Sequence, residues 1–220
     1  MILGNPNRFQ LVALALISAA AIAAAVYFGG APASLSDYLR LASAAVTSVT
    51  LAVAAFHYIA WRWLPKFLSP RPVISGTWRV VGKPRTVNGA TGTQFNGFMF
   101  VEQKYFSISM RLVTEHTESE LVSHEFNLTE GDVFEIWAIY LAEPRDAIDP
   151  ARIRAHYGAV RLKLGSIKST PVISGRYWID GEYTNFHGEK VLGGELAFTT
   201  HVATNCKTYE EATRAYAALR

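Results

Sequence analysis

Ser107-Ile108-Ser109-Met110-Arg111-Leu112 sets a large apolar side chain at every second position, and Glu195-Leu196-Ala197-Phe198-Thr199 does the same. Successive side chains of an extended chain point to opposite faces, so Ile108, Met110 and Leu112 share one side of a strand and Leu196 and Phe198 one side of another. Working outward from these two stretches, candidate strands lie near 72–82, 95–113, 119–128, 132–142, 156–165, 172–181 and 194–202. Turn-forming pieces separate them, among them Val87-Asn88-Gly89, Thr129-Glu130-Gly131-Asp132 and Asp180-Gly181-Glu182. No interval between them is long and periodic enough for a crossover helix. Strands joined by tight turns form an antiparallel meander that must close into a barrel or a sandwich, and a small barrel with an apolar interior accounts for the alternation.

The run Pro-Val-Ile-Ser-Gly occurs at 72–76 and again at 171–175, followed by Trp78 in the first copy and by Tyr177 and Trp178 in the second. A glycine relieves crowding where a strand bends, and the aromatic two residues on falls on the same face and can plug a barrel end. Two strand starts of similar chemistry explain the repetition better than a duplication. From Thr208 to Arg220 a short helix is expected, with Thr208 and Glu211 as a capping box and Ala212, Ala215, Tyr216 and Leu219 as its apolar stripe.

Upstream the sequence changes character. Residues 1–60 hold three charged side chains, Arg8, Asp37 and Arg40. Phe9 to Phe28 is a run of 20 residues without a charge, long enough as a helix to cross a hydrocarbon core of about 30 Å. After Gly29-Gly30-Ala31-Pro32-Ala33-Ser34, Ser36 can cap a second apolar helix whose lipophilic stretch runs from Leu41 to Ile59. Small residues at four-residue spacing, Ala15 with Ala19 and Ala44 with Ser48, would let these helices approach closely. A cleaved signal peptide is the rival account of the first run, but it leaves unexplained a second segment ending in the interfacial aromatics Tyr58, Trp61 and Trp63. Arg62, Lys66 and Arg71 follow that segment, so the positive-inside rule puts the N-terminus and the large domain in the cytoplasm. The expected architecture is a membrane-anchored all-β protein, with a two-helix transmembrane hairpin over 1–64 and a cytoplasmic β-barrel ligand-sensing domain with a short C-terminal helix over 65–220.

Composition excludes several function classes. The net charge of +3 is too small to argue for DNA or RNA binding. Cys206 is the only cysteine, so an intramolecular disulfide and a thiolate metal cluster are ruled out. His57, His116, His124, His156, His187 and His201 are scattered singly, and no metal is expected. There is no phosphate loop, no nucleophile elbow and no His-Glu-x-x-His, so no catalytic residue and no enzyme activity are expected. What a barrel of this size can do is enclose one small molecule, with aromatic rings stacking on a planar ligand and Arg or His meeting its polar groups. The candidate ligand contacts are Trp78, Tyr105, Arg111, Trp137, Tyr140, His156, Arg161 and Tyr177.

Two apolar segments, a Trp/Arg-rich exit from the membrane, Ile-Ser-Gly-Thr-Trp at 74–78, Ile-Ser-Gly-Arg-Tyr-Trp at 173–178 and Gly-Gly-Glu-Leu-Ala-Phe at 193–198 together resemble the two-transmembrane β-barrel effectors of bacterial CBASS anti-phage systems. The resemblance implies an eight-stranded, lipocalin-like barrel that binds a cyclic dinucleotide made by a partner nucleotidyltransferase of the CD-NTase type. It further implies a homo-oligomer on activation and disruption of the bacterial inner membrane to abort infection. Fold analogy alone equally permits a membrane-anchored carrier of lipid or another apolar ligand.

Overall fold

The computed structural model describes residues 34–58, 60–63, 72–105, 107–129, 133–145, 154–167, 170–185, 187–203 and 206–219. The chain divides into two units, Met1–Leu64 with Lys104–Phe106, and the remainder.

In the first unit, helix α1 spans Leu35–Tyr58 and a 3-10 turn covers Ala60–Trp63. Helix α1 is long and apolar enough to cross a membrane, and its side chains are almost all uncovered within the structure. The expected first span, with Ala15 and Ala19, lies outside the described residues; Ala44 and Ser48 sit on α1 and are exposed. The helix begins two residues earlier than expected. Ser34 rather than Ser36 caps it: Ser34 Oγ accepts from the Asp37 amide at 3.3 Å while the Asp37 carboxylate accepts from the Ser34 amide at 3.1 Å. Serine and a carboxylate three residues apart satisfy two otherwise orphaned donors reciprocally, which Ser36 has no partner to do. Tyr105 packs edge-on against Phe56 and Trp61 in this unit, with ring centroids 4.6 and 5.8 Å away.

The second unit is a closed antiparallel barrel of eight strands in simple up-and-down order. The strands are β1 Gly76–Thr86, β2 Phe95–Gln103, β3 Ile108–Thr114, β4 Thr117–Thr129, β5 Val133–Pro144, β6 His156–Ile167, β7 Thr170–Thr184 and β8 Lys190–Ala203. Closure comes from β1 pairing with both β2 and β8, which leaves no sheet edge open to another chain. Four strand assignments change, the first being β1, which begins at Gly76 and ends at Thr86, four residues later at each end than the expected 72–82. The stretch 95–113 is a hairpin of β2 and β3, not one strand. Met99 and Val101 face inward at odd positions and Ile108 and Met110 at even ones, because the chain reverses between Gln103 and Ile108 and pairs antiparallel, Met99 opposite Leu112 and Val101 opposite Met110. Asp180-Gly181 is not the turn after β7. Gly181 adopts φ +79° inside the strand, where β7 bulges away from β8 between Trp178 and Tyr183. Strand β8 accordingly starts at Lys190, four residues earlier than expected.

The barrel is filled at one end and hollow at the other. Toward the closed end, Ile74, Trp78, Val80, Met110, Ile136, Leu162 and Ile173 interlock in one core. Trp78 Nε1 donates to the Ile74 carbonyl at 2.8 Å, and the buried Gln103 amide accepts from the Ile74 amide at 2.8 Å and donates to the Pro72 carbonyl at 3.0 Å. These bonds tie the incoming chain across the barrel floor. Toward the other end the inward positions carry Gly82, Gly97, Thr114, Ser119, Ala142 and Gly158. Small side chains cannot fill a barrel of fixed diameter, so space remains.

Helix α2, Tyr209–Ala217, packs on the outer wall. Thr208 caps it as expected, accepting from the Glu211 amide. Ala212, with Tyr209, Ala215 and Tyr216, covers Phe98, Phe100, Val113 and Val202, the outward apolar residues of β2, β3 and β8. Arg145 fastens the arrangement by donating to the Thr114 carbonyl at 3.2 Å and to Glu210 of α2 at 3.1 Å.

Candidate ligand-binding site

The hollow end encloses a cavity of about 150 Å³ whose mouth is lined by residues of the loops joining β1 to β2, β3 to β4 and β7 to β8. Its deep wall is apolar and includes Met99, Met110, Leu112, Leu121, Val160 and Leu196. Above these come five rings. Phe95 and Tyr177 meet edge to face at 6.3 Å; Tyr140 stands edge-on to His156 at 6.2 Å, and His156 lies over Tyr183 at 4.0 Å. Thr93, Thr114, His116, Thr117, Ser119, Asn185 and His187 form the polar mouth.

Local sequence explains how these rings are held. Tyr140 points across the barrel because its neighbour on β6 is Gly158: a methyl group there would sit 2.3 Å from the Tyr140 ring and 2.3 Å from the Trp178 carbonyl. The open space lets Tyr140 donate its hydroxyl to that carbonyl at 3.2 Å. Opposite Tyr177 and Trp178 on β8 lies the pair Gly193-Gly194, where an added side chain would come within 2.2 Å of the β7 backbone and 2.3 Å of the β1 backbone, respectively. The Gly-Gly of the 193–198 motif therefore has a packing role beside the cavity.

Burial raises the phenols of Tyr140, Tyr177 and Tyr183 above the ordinary tyrosine value, so all three remain neutral hydrogen-bond donors at physiological pH. Burial lowers the imidazole of His156 below its ordinary value, against a smaller opposing effect of its contact with the Arg154 carbonyl at 3.2 Å. His156 is thus mainly neutral near pH 7. Among the described residues the lining contains neither lysine nor arginine, so its polarity comes from hydroxyls, an amide and three imidazoles.

The mouth is braced by Glu189. Its carboxylate accepts from Asn185 Nδ2 at 2.7 Å and from the Thr93 amide and hydroxyl at 2.9 and 3.1 Å, joining the β7–β8 turn to the β1–β2 loop. The Asn185 bond, then the Thr93 amide, hold this carboxyl below the usual carboxylate range. A carboxyl depressed in the folded state contributes stability above its unfolded value, about 4.3, and loses it as pH falls through the folded value. Protection of the Thr93 amide against hydrogen exchange, corrected for intrinsic rate, is therefore expected to stay level from pH 5 to 8 and to fall in acid below about pH 4.3. Glu189→Gln should show weaker protection with no such acid step; equal protection in the two proteins at pH 6 would refute the brace.

Of the eight candidate contacts, Tyr140, His156 and Tyr177 line the cavity. Trp78 faces inward but belongs to the filled end, and Tyr105 belongs to the unit of α1. Arg111, Trp137 and Arg161 point outward. Arg111 pairs with Glu118 at 2.8 Å, donates to the Lys207 carbonyl and covers Phe100. Arg161 makes a bidentate pair with Glu135 at 2.7 and 3.0 Å and lies over the Trp137 ring, whose Nε1 also donates to Glu135. This pair, with the Trp137 bond and Lys163 nearby, lowers the Glu135 carboxyl below its ordinary value against the opposing effect of burial. Both arginines are thus engaged on the outer wall. The sequence reading missed Phe95, Tyr183, Asn185 and the threonines of the mouth; His116 and His187 appeared in it only as scattered histidines. Among the described residues no group of His, Cys, Asp or Glu is placed to hold a metal ion.

A comparison with curated proteins gives no match. The family model described as Cap15, cyclic dinucleotide receptor domain, matches residues 69–192, more than half of the chain, from just before β1 into the start of β8. That segment includes every strand of the barrel wall except most of β8, together with all four loops at the open end. By fold and by this match, the chain belongs to the Cap15 cyclic dinucleotide receptor family of CBASS effectors.

Proposed function

We propose that this protein is an inner-membrane CBASS effector that takes a cyclic dinucleotide into the open end of its barrel, oligomerises and disrupts the membrane. The observation that carries the reading is a cavity with aromatic walls and a polar mouth, open at one end of a barrel whose family is that of cyclic dinucleotide receptors. The enclosed space, about 150 Å³, is below the roughly 300–1,000 Å³ usual for pockets that bury a whole ligand. A base therefore enters first, between Tyr177 and the Tyr140–His156–Tyr183 group, and the sugar-phosphate ring stays at the mouth. There the phosphates meet N–H and O–H donors rather than a cluster of fixed cations, so selectivity rests on geometry and stacking.

The proposed response needs no catalytic step. A ligand shifts an equilibrium only by its differential affinity for two states, so the dinucleotide must favour the assembled form over the dispersed one. Confinement to a bilayer raises effective concentration, and the small residues Ala15, Ala19, Ala44 and Ser48 suit close helix contacts there. The N-terminus and barrel would face the cytoplasm, where a CD-NTase-type nucleotidyltransferase supplies the ligand. Titrating the full chain with a panel of cyclic dinucleotides, by calorimetry and by mass distribution, is expected to give one ligand with a Kd of about 1 μM or tighter, accompanied by growth in particle mass. Neither binding nor assembly across the panel would end the reading. The apolar deep wall favours one competitor, a lipocalin-like carrier of a lipid or other apolar ligand; lipid co-purified in the barrel and detected by native mass spectrometry would support it.

A further inference from the structure

Lys104–Phe106 joins β2 to β3 in the chain, yet it belongs to the unit of α1; no other described segment of the barrel chain does. Tyr105 anchors it there. Its ring, 6% exposed, is edge-on to Phe56 and Trp61, and its amide donates to the His57 carbonyl at 2.9 Å. His57 lies in the last turn of α1, where carbonyls lack a donor from within the helix, so Tyr105 caps the helix from outside. Lys104 Nζ adds a cation–π contact, 4.9 Å from the centre of the Tyr58 ring. The two strands that leave this anchor lead to the cavity. Met99 on β2 and Met110 and Leu112 on β3 line its deep wall, and no more than about 20 Å of extended chain separates Met99 or Met110 from Tyr105. The path is stiff: β2 and β3 pair without a break from Gly97 opposite Thr114 to Gln103 opposite Ile108, and the buried Gln103 side chain is fixed to Ile74 and Pro72.

We infer that the β2–β3 connection couples the cavity to helix α1, with Tyr105 as the positioning residue; the signal it carries rests on the ligand reading above. A ligand pressing on Met99, Met110 and Leu112 moves a paired hairpin, so the displacement reaches the connection instead of being absorbed in a loop. An aromatic ring packed against two others is either seated or withdrawn, since close packing leaves no graded intermediate. Withdrawal frees the last turn of α1 from its outside donor and uncovers Trp61, which is 1% exposed with the ring in place. Ligand-bound and ligand-free barrels thus favour different states of one contact, which is what a ligand needs in order to act on a distant helix. Such coupling is reciprocal: loosening the contact from the helix side must be felt in β2 and β3.

The full-length chain in lipid vesicles tests both directions. Without ligand, Phe56→Ala on α1 is expected to lower hydrogen-exchange protection of the β2 and β3 amides about tenfold and to leave those of β6 and β7 unchanged. Unchanged β2 and β3, or a loss spread evenly over all eight strands, would overturn the coupling whatever the cavity binds. With a cyclic dinucleotide that binds the wild type, Tyr105→Ala should bind no more weakly, because the ligand no longer acts against the helix contact. It should nevertheless need about tenfold more ligand to release a trapped dye from the vesicles. Tyr105→Phe keeps the ring and the amide and should respond as the wild type does. The chain from α1 to β1 is intact in every variant, so a mere tether predicts no loss. Normal dye release by Tyr105→Ala, or a Kd that weakens as much as its dye-release midpoint, would overturn the inference. A wild type that binds no cyclic dinucleotide ends the ligand reading instead, and the exchange measurement still decides the coupling.

Discussion

Trp78→Ala is expected to lower the unfolding free energy of the barrel by about 3–5 kcal/mol, the usual cost of emptying a fully packed aromatic site. Trp78 is 5% exposed and belongs to the same core as Ile74, Val80 and Met110. Its indole also satisfies the Ile74 carbonyl, so alanine leaves both a void and an unpaired acceptor at the barrel floor. A domain of ordinary stability has about 5–15 kcal/mol in total, and the loss would be read directly as a fall in the urea midpoint. Trp78→Phe should recover much of the packing but not the hydrogen bond, and so lie between the two. A change below about 1 kcal/mol for alanine would mean that the floor is not a cooperative part of the barrel.

That the sequence pointed to Trp78 as a plug, and misplaced Trp137, has one physical cause. On β1 the neighbours of Trp78 alternate clearly, with Val80 inward and Arg79 and Lys83 outward, so the face of the ring can be read. On β5 the inward set is Phe134, Ile136, Ala138 and Tyr140, while the outward set includes Trp137, Ile139 and Leu141. Both faces carry apolar side chains, so alternation gives no contrast by which to tell inward from outward. The same wall hid Arg161, whose partner Glu135 lies two residues from Trp137 in the chain but is brought to the arginine by β5–β6 pairing. The antiparallel meander and the C-terminal helix were legible because their signals are local, whereas the eight-strand closure of β1 on β8 came from the family resemblance. The β2–β3 reversal was not, since Lys104-Tyr105-Phe106 contains no glycine, proline or asparagine, and the change of phase between Val101 and Ile108 is one that a single bulge would also give. The mouth was the least legible part. Thr93, His116, Asn185 and His187 come from three loops and meet only because the strands between them close into a ring.

Tyr177→Ala is expected to weaken cyclic dinucleotide binding by about 5- to 150-fold, the loss of one base–aromatic stack worth about 1–3 kcal/mol. The ring stands at the boundary between the apolar depth and the polar mouth, edge-on to Phe95 and backed by Gly194, whose added methyl group would lie 2.9 Å from it. Held so, it offers a base a surface that needs no reorganisation on binding. Tyr177→Phe keeps the ring and removes only a hydroxyl, and should retain affinity within a few-fold if stacking is the dominant contribution. Arg161→Met serves as the contrasting case: a basic residue chosen from sequence as a phosphate contact, it points away from the cavity, and its loss should leave the Kd unchanged while lowering stability, because the buried Glu135 keeps only Trp137 Nε1 and the more distant Lys163. Calorimetric titration of the three variants, each with its own unfolding curve, distinguishes these effects. If Arg161→Met loses affinity while Tyr177→Ala keeps it, the ligand binds on the outer wall and not inside the barrel.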